Sequence, residues 1–267
     1  SPFYYYLSKP TEPNKSYSIM KLVCRLTKGI ISQRREFKLN ITSDEKTALL
    51  FLLVKIFFLP LMYKFAYNNY FAFKTDLSRG LWFPLAITFI FTLDTLIFSF
   101  GYSFEFKSLK NIVKSVEPTF FGWFVALICY PPFNNITGNF VPWGANEYAQ
   151  FSNPTYTLIL QIMVIILLSF YVLASVSLGP KASNLTNRGI VSRFPYSVVR
   201  HPAYISKVSM WWITLLPVLS SKYVWGMLFW TVIYLFRALT EERHLMKDPD
   251  YVKYCKKVKW RFVPYLF

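Results

Sequence analysis

Charge is scarce in this chain: 16% of its 267 residues are Asp, Glu, Lys or Arg, against about 25% in an ordinary soluble domain. Acidic side chains are the scarcest, 13 against 30 Lys and Arg. Only nine glycines occur. None forms a G-x-G-x-x-G or Walker loop, which argues against a Rossmann or P-loop nucleotide site, and so low a number excludes a collagen-like chain. Cys24, Cys129 and Cys255 make no C-x-x-C, and His201 and His244 stand 43 positions apart. Neither a zinc constellation nor a disulfide framework follows from such spacing, so no metal is expected.

What the chain has instead is apolar surface. Hydrophobic residues make up 54% and aromatics 20%, with 27 Phe, 19 Tyr and 8 Trp. A water-soluble fold of this size has no single core able to bury so much, and disorder carries the opposite signature. The composition predicts an integral membrane protein. The net charge of +17 then reads as basic loops on the cytoplasmic side, facing anionic headgroups. Nucleic acid is not an expected partner, because no binding motif accompanies the charge. No cleavable signal is expected, since the first apolar run begins only near Ala48.

A spanning helix takes about 20 mostly apolar residues. Ala48–Ala66 and Leu81–Phe100 qualify, each with one polar intruder, Lys55 and Asp94. Tyr156–Leu178 is free of charge, and Ala203–Leu219 and Tyr223–Leu239 form a hairpin around Ser220, Ser221 and Lys222. Phe120–Tyr130 is short for a crossing, but charge favours counting it. With six crossings and both termini cytoplasmic, the inner segments hold nine, three, four and seven basic residues, 23 in all, and the outer ones only Lys74, Arg79 and Lys222. The expected fold is all-α, a polytopic bundle of about six transmembrane helices. It divides into a basic cytoplasmic lead over residues 1–46, four helices over 47–178 and a C-terminal catalytic region over 179–267. A candidate interfacial helix lies around Met20–Ile31.

Two stretches carry chemistry. The first is RGIVSRFPYSVVRHPAYISK, ahead of the hairpin. Pro202 suits a first helical turn and keeps His201 out of the helix, so Arg200 and His201 stand at a helix entrance with Tyr204 one turn in. The free backbone donors and partial positive charge of that entrance favour an anionic ligand. The plainer alternative is interfacial anchoring. The second stretch is YLFRALTEERHL, which ends the hairpin. Tyr234, Arg237 and Glu241 share a helix face, and Arg237 and Glu241 are spaced to pair across one turn. Glu241 and Glu242 point about 100° apart and so serve different purposes. Both stretches face the cytoplasmic side, where Arg200, His201, Tyr204, Arg237, Glu241 and Glu242 are expected to line one cavity.

The run P-Y-x-x-x-R-H-P-x-Y (Pro195, Tyr196, Arg200, His201, Pro202, Tyr204), then a hairpin, then Glu241-Glu242, then Tyr251 and Tyr254, resembles the isoprenylcysteine carboxyl methyltransferase and phospholipid methyltransferase superfamily. The resemblance spans Asn187–Phe267. It implies S-adenosylmethionine as cofactor, held without a Rossmann domain by His201, Pro202, Tyr204, Arg237, Glu242 and Tyr251. Arg200 and Glu241 would be the catalytic residues, nearer the transferred methyl group. It also implies a membrane lipid or lipidated acceptor, a prenylcysteine carboxylate in first place, and residence in a bacterial inner membrane or the endoplasmic reticulum. Phe194 stands where the family commonly has Gly, and Ile205 where it has a small residue. The ending KYCKKVKWRFVPYLF also looks like the tail of NADPH-dependent membrane sterol reductases, but those usually have Asn in place of Pro202. A non-catalytic membrane scaffold is the third reading.

Overall fold

The long apolar runs form long helices. A computed structural model of the chain describes residues 15–31 and 40–266. Helix α1 (Lys15–Ile31) covers the candidate interfacial segment and begins earlier than expected. Its Arg25 pairs with Glu45 at the start of α2 (Ser43–Arg79), and Lys15 Nζ lies 2.6 Å from Glu105 Oε1. A reciprocal cap starts α2: the Glu45 amide donates to Thr42 Oγ1 and the Thr42 amide to Glu45 Oε2. Two of the four orphan donors at that end are thereby satisfied.

The chain reverses at Gly80 into α3 (Trp82–Ser103). Phe58 of α2 stacks on Tyr102 of α3 at 5.5 Å, and Asn69 Nδ2 donates to the Phe91 carbonyl at 3.3 Å. Helix α6 (Pro154–Leu178) lies beside α3. Its Leu160, Val164 and Leu168 join Phe83, Ile87 and Ile90 of α3 and Met210 of α7 (Pro202–Leu215) in one buried cluster. Helix α8 (Ser221–Leu245) is capped by Ser220 and closes the hairpin. The short helix α9 (Pro249–Lys257) follows. The result is an all-α membrane bundle. Its β structure among the described residues is one two-residue antiparallel pair, β1 (Ser115–Val116) against β2 (Thr186–Asn187).

Among the described residues, four helices are long and apolar enough to cross a membrane: α2, α3, α6 with its following turn to Lys181, and α8. The other two expected crossings differ from a full helix. Helix α7 has 14 residues and is extended by a 3-10 turn over Leu216–Val218. The Phe120–Tyr130 crossing is not one helix. It breaks into α4 (Phe120–Leu127), a turn through Pro131 and Pro132, and α5 (Phe133–Gly138). Two successive prolines leave no room for a continuous ladder.

The broken segment nevertheless follows α8 along its length. Arg243 pairs with Glu117 at 3.0 Å, Phe121 meets Phe236, and Ile128 packs on Trp230 and Ile233. At the other end, a β-carbon on Gly226 would stand 1.8 Å from the Pro142 carbonyl oxygen, so only glycine admits this approach. Tyr223 to Arg243 is about 30 Å of helix, the thickness of a bilayer core. Helix α8 packs along one side of this segment, while α5 has no buried residue.

Candidate functional site

Every functional side chain expected from the sequence comes from the end of the bundle where α7 begins and α8 finishes. His201 is the residue ahead of α7 and is kept out of the helix, though at φ −125° and ψ 59° it is not fully extended, and Pro202 itself is the first helical residue. The C-terminal tail is laid across this point: the Arg200 amide donates to the Trp260 carbonyl and the His201 amide to the Arg261 carbonyl, both at 2.9 Å. Arg200 Nη1 also reaches Cys255 Sγ of α9 at 3.3 Å, and Nη2 the Lys259 carbonyl at 3.3 Å.

The paired glutamates divide as their 100° separation predicts. Glu242 is buried and turned toward the tail. Its Oε1 lies 3.1 Å from His201 Nε2 and 3.3 Å from Arg200 Nε, and its Oε2 accepts from Arg261 Nε at 3.0 Å. Glu241 turns to the other side and accepts from the Tyr204 hydroxyl at 2.8 Å. The His201 and Tyr204 rings stack 5° from parallel, 5.4 Å apart, which fixes Tyr204 over the first turn of α7.

Arg237 does not pair with Glu241. Its Nη2 donates instead to Asn184 Oδ1, and its guanidinium carbon stands 5.2 to 5.6 Å from the rings of Tyr204, Tyr130 and Tyr234. Asn184 is held for this by its amide and Nδ2, which donate to the Tyr102 hydroxyl at 2.6 and 2.8 Å. Spacing alone permits the Arg237–Glu241 pair, but Asn184 and Tyr204 take one partner each. A guanidinium 7% exposed is thus stabilised by ring faces and an amide rather than by a carboxylate.

These side chains line a cavity of about 90 Å³ that opens at its mouth. Arg200, His201, Tyr204, Arg237 and Glu241 are on its wall. Pro202, Glu242 and Tyr251 are not: Pro202 is buried in the first turn of α7, Glu242 lies behind Arg200 and His201, and Tyr251 packs with Tyr254 and Val258 in a small apolar cluster. Burial raises the Tyr251 hydroxyl well above its ordinary pKa, and the neighbouring Glu242 adds to this.

Several wall residues gave no signal in the sequence. Tyr130, Tyr171, Ser183 and Asn184 come from segments without a motif, whereas Tyr196 belongs to the P-Y-x-x-x-R-H-P-x-Y run. Lys207, one turn beyond Tyr204, also lines the cavity, with its ammonium 5.5 Å from the Tyr171 ring and 5.4 Å from the Trp211 ring. Among the described residues it has no carboxylate within ion-pair distance. Asp94 did give a signal, as a charge inside an apolar run. It accepts from the Tyr171 hydroxyl at 2.8 Å and from Ser175, and so anchors that wall.

Residues 154–248 match the phospholipid methyltransferase family model. The match runs from the start of α6 to the end of α8 and takes in the whole P-Y-x-x-x-R-H-P-x-Y run and both glutamates. It covers about a third of the chain. The matched region supplies most of the cavity wall, with Phe98 and Tyr130 coming from before it. It is similar to a membrane methyltransferase family whose members generally use S-adenosylmethionine. No curated protein and no solved structure matches the chain.

The wall suits such a cofactor in its chemistry. Arg200 and Arg237 are donors for a carboxylate, the Glu241 carboxylate is an acceptor for an ammonium or hydroxyl group, and the tyrosine faces favour a cationic sulfur. Arg200 Nε, near Glu242 but poorly aligned with it, has no hydrogen-bond partner among the described residues.

Proposed function

We propose that the protein is an S-adenosylmethionine-dependent methyltransferase that acts on a lipidated acceptor at the cytoplasmic face of its membrane, with both termini on that face. The observation that carries this reading is the convergence of Arg200, His201, Tyr204, Arg237 and Glu241 on one cavity inside the region that matches the family. When bound there, S-adenosylmethionine supplies an electrophilic methyl group on a sulfonium, open to in-line attack.

The residues then position, orient and exclude water. No enzyme nucleophile is needed. Arg200 and Glu241 face opposite charges of the reactants, His201, Tyr204 and Arg237 frame the cofactor's part of the cavity, and Pro202 contributes by starting α7 beneath them. Tyr130, Tyr171, Tyr204 and Tyr234 give the site walls of low polarity, where each charge-assisted bond is stronger than in water. Glu242 contributes from behind by fixing Arg200 and His201, and Tyr251 by packing α9 beneath them.

Two cations deep in the wall, Arg237 and Lys207, favour an acceptor that arrives as an anion. A prenylcysteine carboxylate fits this description and needs no base. A second acceptor class is favoured by Glu241, whose carboxylate is placed to take a proton from an amine such as a phospholipid headgroup. Transfer of labelled methyl from S-adenosylmethionine to a farnesylated cysteine or to phosphatidylethanolamine, each presented in vesicles, separates the two. Calorimetry in detergent tests the class itself: S-adenosylhomocysteine binds and NADPH does not. NADPH binding alone would establish the reductase reading, and binding of neither the scaffold.

A further inference from the structure

A second cavity opens on the same end of the molecule and shares no wall residue with the first. Its volume is about 440 Å³, and Lys110, Lys114, Lys181, Arg188, Lys253 and Lys257 line it against a single acid, Asp250. Two of the cations are already engaged: Lys114 Nζ lies 2.9 Å from Asp248 Oδ2, and Lys253 Nζ 3.7 Å from Asp250 Oδ1. Among the described residues, Lys110, Lys181, Arg188 and Lys257 have no carboxylate within ion-pair distance.

The wall is built rather than a chance cluster of surface lysines. Arg188 is 3% exposed. Its Nε donates to Ser183 Oγ and its Nη1 to the Asn111 carbonyl, both at 2.9 Å, and its guanidinium lies over the Phe51 ring at 5.4 Å. Its Nη2 is buried with no hydrogen-bond partner among the described residues. A buried cation with no carboxylate beside it is costly, and an anion in the adjoining cavity would offset its charge. Gly189 adds room beside it, at φ +85: Lys181 Nζ and Lys114 Nζ both lie within 4 Å of where its β-carbon would stand. Two ammonium groups facing one small gap match the oxygens of a tetrahedral dianion.

We infer that this cavity, framed by Lys110, Lys181, Arg188 and Lys257, is a phosphate-binding site distinct from the methyl-transfer pocket. Its ligand is a phosphomonoester, carried on an anionic lipid headgroup or on a soluble compound. The cavity is too small for a helix or a nucleic acid and lies where basic loops meet headgroups. Helix α9 connects the two sites: Lys253, Tyr254 and Lys257 face the phosphate cavity, while Cys255 contacts Arg200 of the other.

The test uses the full chain in neutral detergent with two probes. Inorganic phosphate, against chloride at matched ionic strength, is followed by thermal unfolding. Phosphatidic acid, against phosphatidylcholine, is followed by native mass spectrometry of retained lipid. At least one probe is expected to bind, and the probe that binds identifies the source of the phosphate. Lys181→Gln with Lys257→Gln should weaken that binding at least tenfold and leave S-adenosylhomocysteine binding unchanged, as should Arg188→Gln. Should Arg188→Gln fail to fold, the double variant carries the test. Binding of neither probe, or equal binding by the double variant, overturns the site. Because S-adenosylhomocysteine is read separately, failure here leaves the methyltransferase assignment standing.

Discussion

The two sides of the last turns of α8 are a natural experiment in what surroundings do to a carboxylate. On the tail side, Glu242 is met by Arg200, His201 and Arg261, and little is left for it to accept. On the cavity side, Glu241 has one donor, Tyr204, while the nearby cations Arg237 and Lys207 rest on rings and an amide. One side spends its charges on holding the tail in place. The other keeps them available to whatever enters. Adjacent residues of identical chemistry thus have separate duties, which explains why a rigid helix carries two.

Variants sharpen this contrast. The largest effect belongs to Glu242→Ala, which strands two arginines. Removing one partner of a buried pair costs about 3–5 kcal/mol, and the partial exposure of Arg261 brings this to about 2–4 kcal/mol. Thermal unfolding and limited proteolysis should show a less stable protein with a tail that is cut early. Wild-type behaviour in both would remove the latch. Glu241→Gln should do the opposite. Unfolding stays within about 1 kcal/mol of wild type, because the amide oxygen still accepts from Tyr204. Transfer to an amine acceptor falls ~10²-fold or more, and transfer to a carboxylate acceptor by less than about tenfold. Equal loss on both acceptors would show that Glu241 binds rather than moves a proton.

The far end of α8 offers a control that touches neither glutamate. Gly226→Ala drives a methyl group into the Pro142 carbonyl, and overpacking of this kind costs about 1–3 kcal/mol. Cofactor affinity should be unchanged in whatever fraction folds. A loss of affinity would mean that the broken segment reaches the site.

The smallest effect is one of pH. Asp248 accepts from Asn187 and Lys114 and caps α9 through the Asp250 amide. Burial works to raise its pKa, but these bonds outweigh it and hold the carboxyl below its ordinary value. A lowered folded-state pKa stabilises above the unfolded value, about 4, and the benefit is lost as pH falls through the lowered one. Stability should therefore drop on acidification below pH 4, and less steeply in Asp248→Asn. Identical acid profiles would show that Asp248 contributes nothing to holding α9.

Much of this arrangement is legible in the sequence, for reasons that differ by element. Helices α3, α6 and α8 are read from apolar runs because lipid demands them. The α7 entrance is read from Pro202, which restricts both itself and His201. The segment Phe120–Tyr130 is expected as one of six helices and is found as α4 ending at Leu127, because counts of basic residues carry no information on where a helix stops. Pairing is harder still. Arg237 and Glu241 have the right spacing on one helix, but their partners, Asn184 and Tyr204, belong to other segments. Asn184 owes its position to Tyr102, 82 residues away, and nothing local announces that contact.

The tail laid across Arg200 and His201 also sets an order of assembly. Trp260 and Arg261, whose carbonyls receive the two amides at the entrance, lie beyond the end of α8 and so leave the ribosome after the hairpin. Until they do, the Glu242 carboxylate lacks the Arg261 guanidinium and the His201 amide lacks its carbonyl. The residues of the cavity wall all precede the tail, so the wall is made first and its entrance is latched last.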